Sequence, residues 1–162
     1  MTDSRSLIPG VRVEVPGCPT LLLTDLLIDF SGTLALDGSV LPGVLDALMQ
    51  LSAVLRVTVC SADTFGSVRE ALASLPLAVS LVERGEHKAE IVRALGADHV
   101  VAVGNGRNDV PMFKAAAFSI AVLGPEGTAA ELLAAADLVA PSIFVALDLL
   151  RHPIRLRASL RP

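Results

Sequence analysis

Four short stretches carry the residue types that chemistry needs. DFSGTL, Asp29 to Leu34, sets a carboxylate at the end of an apolar run and follows it with Gly32. Glycine permits a sharp turn, and backbone N–H groups in such a turn can form a nest for an anion. Asp29 can act there as a nucleophile toward a phosphoryl group, forming an aspartyl phosphate. The plainer reading is a carboxylate that caps the turn. SADT, Ser61 to Thr64, ends a Val-rich run. Ser61 can hydrogen-bond a phosphate oxygen, while Asp63 or Thr64 reads as a helix cap. The chain has 13 basic residues, of which only Lys88 and Lys114 are lysines. Lys88 falls at the start of a predicted helix, where a cation opposes the helix dipole, so local stability does not account for it. A compact ammonium there suits a phosphoryl group and a nearby carboxylate; a plain surface lysine is the alternative. GNGRND, Gly104 to Asp109, has two glycines that allow close backbone approach and an Asp that can help hold Mg2+. It also begins a GxGxxG-like string. That string ends in Asp109 rather than Gly and follows a late strand, which argues against a dinucleotide site.

The elements that must position these residues alternate. Predicted strands lie at Leu26–Phe30, Val57–Ser61, Ala78–Val82, His99–Val103, Ser119–Val122 and Asp137–Val139. Between and after them, helical spacing appears at Pro42–Ala53, Thr64–Ser74, Glu86–Leu95 (stopped by Gly96), Asn108–Ala116, Thr128–Ala135 and Ser142–Leu150. Strands alternating with helices predict βαβ units. The expected fold is α/β: a Rossmann-like, mostly parallel sheet with helices on both faces, three layers in all. Val11–Val15 and Thr20–Thr24, around Pro16-Gly17, predict a hairpin before the core. One domain over 1–162 is expected: a hairpin extension at 1–24, a core at 25–150 and a basic tail at 151–162. In such sheets ligands bind beyond the carboxyl ends of the strands. Asp29, Ser61 and the Gly104–Gly106 loop all stand there.

Composition narrows the class. The 162 residues are 52% apolar, with a mean hydropathy of +0.64. No run of ~18 apolar residues occurs, so no membrane span is expected. Short Val-rich runs suit strands buried on both faces, with an oligomer interface as another outlet for apolar surface. The N-terminus has no basic-then-apolar leader pattern, and a cytoplasmic location is the default expectation. Cys18 and Cys60 make neither a disulfide framework nor a zinc site; Cys60, in VTVCS, reads as core. A net charge of −4 argues against nucleic-acid and membrane-surface binding. The basic cluster Arg151, His152, Arg155, Arg157 and Arg161 reads as a solvated end or a partner contact.

Taken together, these motifs resemble those of the haloacid dehalogenase (HAD) superfamily of phosphotransferases, above all the phosphorylation domain of P-type ATPases. DFSGTL is similar to that family's DKTGTL, SAD to its TGD, and Val103–Val122 to its VGDGxND region. The resemblance runs from about Leu26 to Val139. It implies that Asp29 accepts the phosphoryl group and ligates Mg2+, and that Ser31 offers its backbone carbonyl to the metal. It further implies that Ser61, with Ala62, Gly32 and Asn108, contacts phosphate, that Lys88 neutralises developing charge, and that Asn105 and Asp109 stand at the metal.

Two departures from the family pattern shape the expected function. The general acid–base Asp of superfamily phosphatases is Ser31 here, and losing such a group typically costs ~10²–10⁴ in rate. The metal-binding Asp of the last motif is Asn105, which removes a negative charge. The stretch between Asp29 and Ser61 has room for a hairpin at Asp37-Gly38 and one helix, and for no cap or nucleotide-binding domain. The expectation is a capless, soluble, Mg2+-dependent phosphohydrolase or phosphotransferase, slow or specialised, acting on a phosphorylated small molecule or macromolecule. A possible homo-oligomer is part of that expectation, since a neighbouring subunit can enclose an open site. The alternative is a catalytically degenerate domain that binds a phosphorylated ligand or regulates a partner. A receiver-type signalling domain fits less well, because receivers carry their acceptor Asp on a later strand.

Overall fold

The computed structural model describes residues 8–62 and 67–162. In chain order its elements are β1 (Val11–Val13), β2 (Leu21–Leu23), β3 (Asp25–Asp29), β4 (Ala35–Leu36), β5 (Ser39–Val40), α1 (Val44–Leu51), β6 (Arg56–Ser61), α2 (Ser67–Ala71), β7 (Ala78–Leu81), α3 (Gly85–Leu95), β8 (Val100–Gly104), α4 (Val110–Ala115), β9 (Phe118–Val122), α5 (Ala130–Ala135), β10 (Leu138–Ala140), α6 (Ile143–Arg151) and α7 (Pro153–Leu160). Short 3-10 turns precede β8 and α4.

The Val-, Leu- and Ile-rich runs become a six-stranded parallel sheet, ordered β10-β9-β8-β3-β6-β7. Every residue of β3, β8 and β9 is buried, as an all-parallel sheet requires. Successive side chains point to opposite faces. Leu26, Ile28, Val101, Val103 and Ile120 therefore join one core with Leu48 of α1 and Leu147 of α6. Leu27, Val100, Ala102 and Ala121 join a second core with Val92 of α3, Met112 and Phe113 of α4 and Leu132 of α5. The two cores and the sheet between them are the three predicted layers. The sequence order reverses between β3 and β8, the kind of switch point where such sheets bind ligands.

The opposite end of β3 is pinned by charge. Asp25, fully buried, accepts from Arg56 Nε at 2.8 Å, from Arg56 Nη2 at 2.5 Å and from the Thr24 hydroxyl at 2.7 Å. The predicted N-terminal hairpin forms, with Val11 opposite Leu23, but its strands are shorter than expected. The Asp37-Gly38 hairpin also forms, as β4 and β5. The connection from β3 to β6 carries only that hairpin and α1.

Several element ends shift by one or two residues, and three differences from expectation are larger. The helix predicted to start at Thr64 is described from Ser67 onward, and the proposed caps Asp63 and Thr64 lie outside the described residues. The helix predicted from Asn108 begins as a 3-10 turn, Arg107–Asp109, before α4. Segment 151–162, read as a solvated basic tail, contains α7, with Pro153 in its first turn, where a missing N–H is harmless. Leu156 is fully buried and α7 packs on β1. Leu160, half-buried, packs against the same core; two apolar residues suffice to dock the helix, so the periodic signal is weak. Among the described residues no helix is long and apolar enough to cross a membrane.

Candidate active site

Asp29 is the last residue of β3, at the carboxyl edge of the sheet, and is 6% exposed. Its register partner on β6 is Cys60, so Ser61 stands one residue further along the neighbouring strand. The Phe30 N–H donates to the Cys60 carbonyl at 3.0 Å and holds the two strand ends together. Beyond them the chain turns at Gly32, whose φ of +73° favours glycine. Ser31 lies exposed on that turn, and Ala62 exposed just past β6.

Lys88 comes from α3, on the second core's side of the sheet, and is 2% exposed. Its Nζ donates to Asp29 Oδ1 at 2.7 Å and to Asp109 Oδ1 at 2.6 Å. Lys88 stands against the dipole at the start of α3 because its ammonium serves two buried carboxylates from other elements. Gly85 makes the approach of α3 feasible. A Cβ on it would lie 2.5 Å from the Asn108 carbonyl oxygen, inside any normal contact. Asp109 is fully buried, and its Oδ2 accepts the backbone N–H groups of Asn105 at 3.1 Å and Gly106 at 3.0 Å. Both Asp109 oxygens are thus engaged, one shaping its own loop and one orienting Lys88. Asn108 sits exposed on the same turn.

Burial and the negative charge of Asp109 push the Asp29 carboxyl up to about 7, against the pull of Lys88 and the Phe30 N–H. Burial draws the Lys88 ammonium down, but the two carboxylates outweigh it and leave its pKa above the ordinary lysine value. The Cys60 thiol, between the strands, is pushed up to about 12, mainly by burial, so it is neutral and not a nucleophile.

Asn105, nearly buried, is engaged at both ends of its amide. Its Oδ1 accepts from the Thr33 hydroxyl at 3.0 Å, and its Nδ2 donates to the Gly127 carbonyl at 2.9 Å. These partners fix the orientation of the amide, since a carbonyl can only accept. Among the described residues, no three His, Cys, Asp or Glu side chains converge on a point. Mg2+ does not need such a cage; it commonly takes one or two carboxylates and keeps waters and phosphate oxygens. The Asp29 carboxylate, at the mouth of a cluster (Asp29, Asp109 and Lys88) whose net charge is −1 once Asp29 is ionised, fits a weakly held Mg2+.

The structure thus brings together Asp29, Lys88, Asp109 and Asn105, with Ser31, Gly32, Ser61, Ala62 and Asn108 on the surrounding strand ends and turns. Sequence reasoning missed Thr33, Gly85, Gly127 and Glu126. Thr33 lay inside a quoted motif but had no evident partner. The others act through backbone approach or through a loop, 123–129, that folds back across the site, and no spacing pattern records that.

Known proteins resemble this chain in sequence and in fold. A family model described as haloacid dehalogenase-like hydrolase matches residues 62–143, half of the chain. An uncharacterized protein of Methanocaldococcus jannaschii is 40% identical over 62 residues, which cover 38% of this chain and 67% of that protein. The cobalt-bound deoxy-D-mannose-octulosonate 8-phosphate phosphatase of Haemophilus influenzae superposes with a TM-score of 0.65 at 17% identity, covering 85% of this chain and 91% of that one. A zinc-transporting PIB-type ATPase gives 0.62 at 22% identity, covering 75% of this chain but only 20% of the ATPase. At these identities the two solved structures speak for the fold alone. The matched sequence model, together with a Lys-bridged carboxylate pair at the switch point of the sheet, places the chain in the family of haloacid dehalogenase-like hydrolases.

Proposed function

We propose that the protein is a Mg2+-dependent phosphohydrolase or phosphotransferase that works through an aspartyl phosphate on Asp29. The observation that carries this reading is the buried ammonium of Lys88 held between Asp29 and Asp109 at the carboxyl end of the central strand. An Asp29 carboxylate oxygen attacks phosphorus in line with the leaving oxygen. The bond from phosphorus to that oxygen breaks, and the leaving group keeps the electron pair and takes a proton from water. A second water then attacks the phosphorus of the aspartyl phosphate. The bond to Asp29 breaks, the carboxylate is regenerated and inorganic phosphate departs. Lys88 stabilises the charge that builds on the phosphoryl oxygens, the kind of fixed electrostatic aid that usually contributes most. Asp109 acts through Lys88 rather than on the substrate. Asp29 and the Ser31 carbonyl are the groups that would hold Mg2+, which when bound neutralises phosphoryl charge; Asn105 stands beside them with its amide committed to Thr33 and Gly127. Ser31 in place of a proton-transferring Asp makes the second step slow. With only a hairpin and α1 between β3 and β6, the site is open, and its substrate is a phosphorylated molecule in the cytoplasm.

The test is incubation with Mg2+ and acetyl phosphate or a panel of phosphate monoesters, beside Asp29→Asn. The expected result is turnover, or an acid-stable, hydroxylamine-labile label, present in the wild type and absent in the variant. No turnover and no label would overturn it. A second reading, a domain that binds a phosphorylated ligand without turnover, is favoured by the same Ser31 and by the doubly engaged amide of Asn105. Phosphate binding that ignores chelation of Mg2+, with no label, would select it.

A further inference from the structure

Resting on the phosphotransfer reading, we propose that Glu126 returns to the cation site the negative charge that it lacks at Asn105, acting through the water shell of a Mg2+ held at Asp29. Glu126 sits on the loop between β9 and α5, remote in sequence from each motif strand end. Its Oε1 accepts the Asp37 N–H at 3.1 Å, on the hairpin beyond Asp29. Its Oε2 stands 2.8 Å from the point where a Cβ on Gly32 would fall, and Asn105 Nδ2 stands 2.4 Å from the same point. The carboxylate therefore lies beside the amide that occupies the usual metal-carboxylate position, and next to the turn that carries the Ser31 carbonyl.

Charge supports the assignment. With Asp29 ionised, as a cation bound to it requires, Asp29, Asp109 and Lys88 together leave one negative charge, and Glu126 makes two, matching a divalent cation. Mg2+ keeps several waters, so a carboxylate at the rim can act without joining a three-carboxylate cage, and none forms here among the described residues. Asn105 also has a reason to be an amide. Its Nδ2 donates to the carbonyl of Gly127, the residue after Glu126, and its own backbone carbonyl accepts from the Ala129 N–H at 2.9 Å. An Asp at 105 lacks the Nδ2 donor and keeps only the backbone acceptor. Asn105 is thus a positioning residue: it holds the loop that carries Glu126 to the site.

Glu126→Gln separates this role from a merely structural one. Glutamine keeps an oxygen for the Asp37 N–H and removes only the charge. The readout is the Mg2+ concentration at the midpoint of the metal-induced rise in melting temperature, for wild type, Glu126→Gln, Asn105→Asp/Glu126→Gln and Asp29→Asn. For an exposed unit charge acting through water, the expected weakening in Glu126→Gln is about fivefold, fading in high salt. The double variant is expected to regain wild-type affinity or better, and Asp29→Asn to lose the response. An unchanged midpoint in Glu126→Gln, or a wild type indifferent to Mg2+, overturns the proposal. The hydroxylamine-labile label, assayed on the same proteins, keeps the two readings apart. A label or turnover with an unchanged midpoint sinks the role of Glu126 alone, whereas a wild type with neither turnover nor label sinks the phosphotransfer reading.

Discussion

Lys88 is the residue on which the site's electrostatics turn. It is almost wholly buried between two carboxylates, and each makes a short charge-assisted bond with it. Removing one partner of a buried ionic group typically costs about 3–5 kcal/mol, because the remaining charge is stranded. We predict that Lys88→Met loses stability of that order in urea unfolding near neutral pH. Lys88→Met/Asp29→Asn should recover part of the loss, since one stranded carboxylate is gone. Equal loss in the single and double variants would show that packing of the lysine stem, and not charge, dominates. Asp29 and Lys88 were both legible as candidates from sequence. The pairing of Lys88 with Asp109 was not, since they stand 21 positions apart with β8 between them.

At the scale of elements, the question is how α3 comes close enough to deliver that lysine. Gly85 opens α3 against the Asn108 carbonyl, where a Cβ would sit at 2.5 Å. Alanine at a helical position normally gains up to about 1 kcal/mol over glycine. Forcing a methyl into a filled space costs about 1–3 kcal/mol, and here the obstacle is backbone, which yields least. The clash wins, so Gly85→Ala is predicted to lower stability. It is also predicted to cut the rate of Asp29 phosphorylation, as α3 is pushed back with Lys88. A variant as stable and active as wild type would remove the packing argument. Strand and helix identities were readable because apolar runs and Gly96 are local signals. Helix α7 was not, because its docking rests on Leu156 and, less deeply, Leu160, in a segment that otherwise reads as a charged tail.

For the molecule as a whole, the acidic cluster makes global stability depend on pH. The folded Asp29 carboxyl titrates near 7 against an ordinary 3.8, with Lys88 from α3 and Asp109 from the loop after β8 facing it, and with Cys60 neutral beside it. The folded state therefore holds a proton that the unfolded chain gives up between those values. Its contribution to stability is largest below about pH 4 and falls as pH rises toward 7. Asp29→Asn has no such proton to lose. In metal-free buffer with a chelator, the gap in unfolding free energy between Asp29→Asn and wild type should widen in favour of the variant from about pH 5 to about pH 8. Parallel curves would contradict it. The same burial that raises Asp29 is what a bound cation has to offset, which ties the metal to the fold.

The sequence by itself determined the layers and the order of the strands' chemistry. Apolar runs alternating with helical spacing demand a covered parallel sheet, and such a sheet puts Asp29, Ser61 and the Gly104–Asp109 loop at one edge. Local residue types also announced the departures at Ser31 and Asn105. The tertiary structure decided how the charges are shared: Lys88 is held by two carboxylates rather than one, and Asp109 is spent on its loop and on that lysine. It also decided that Asn105 latches a loop that brings Glu126 to the site. These are contacts between groups far apart along the chain, fixed by packing across the sheet's edge, and periodicity along one strand or helix carries no trace of them.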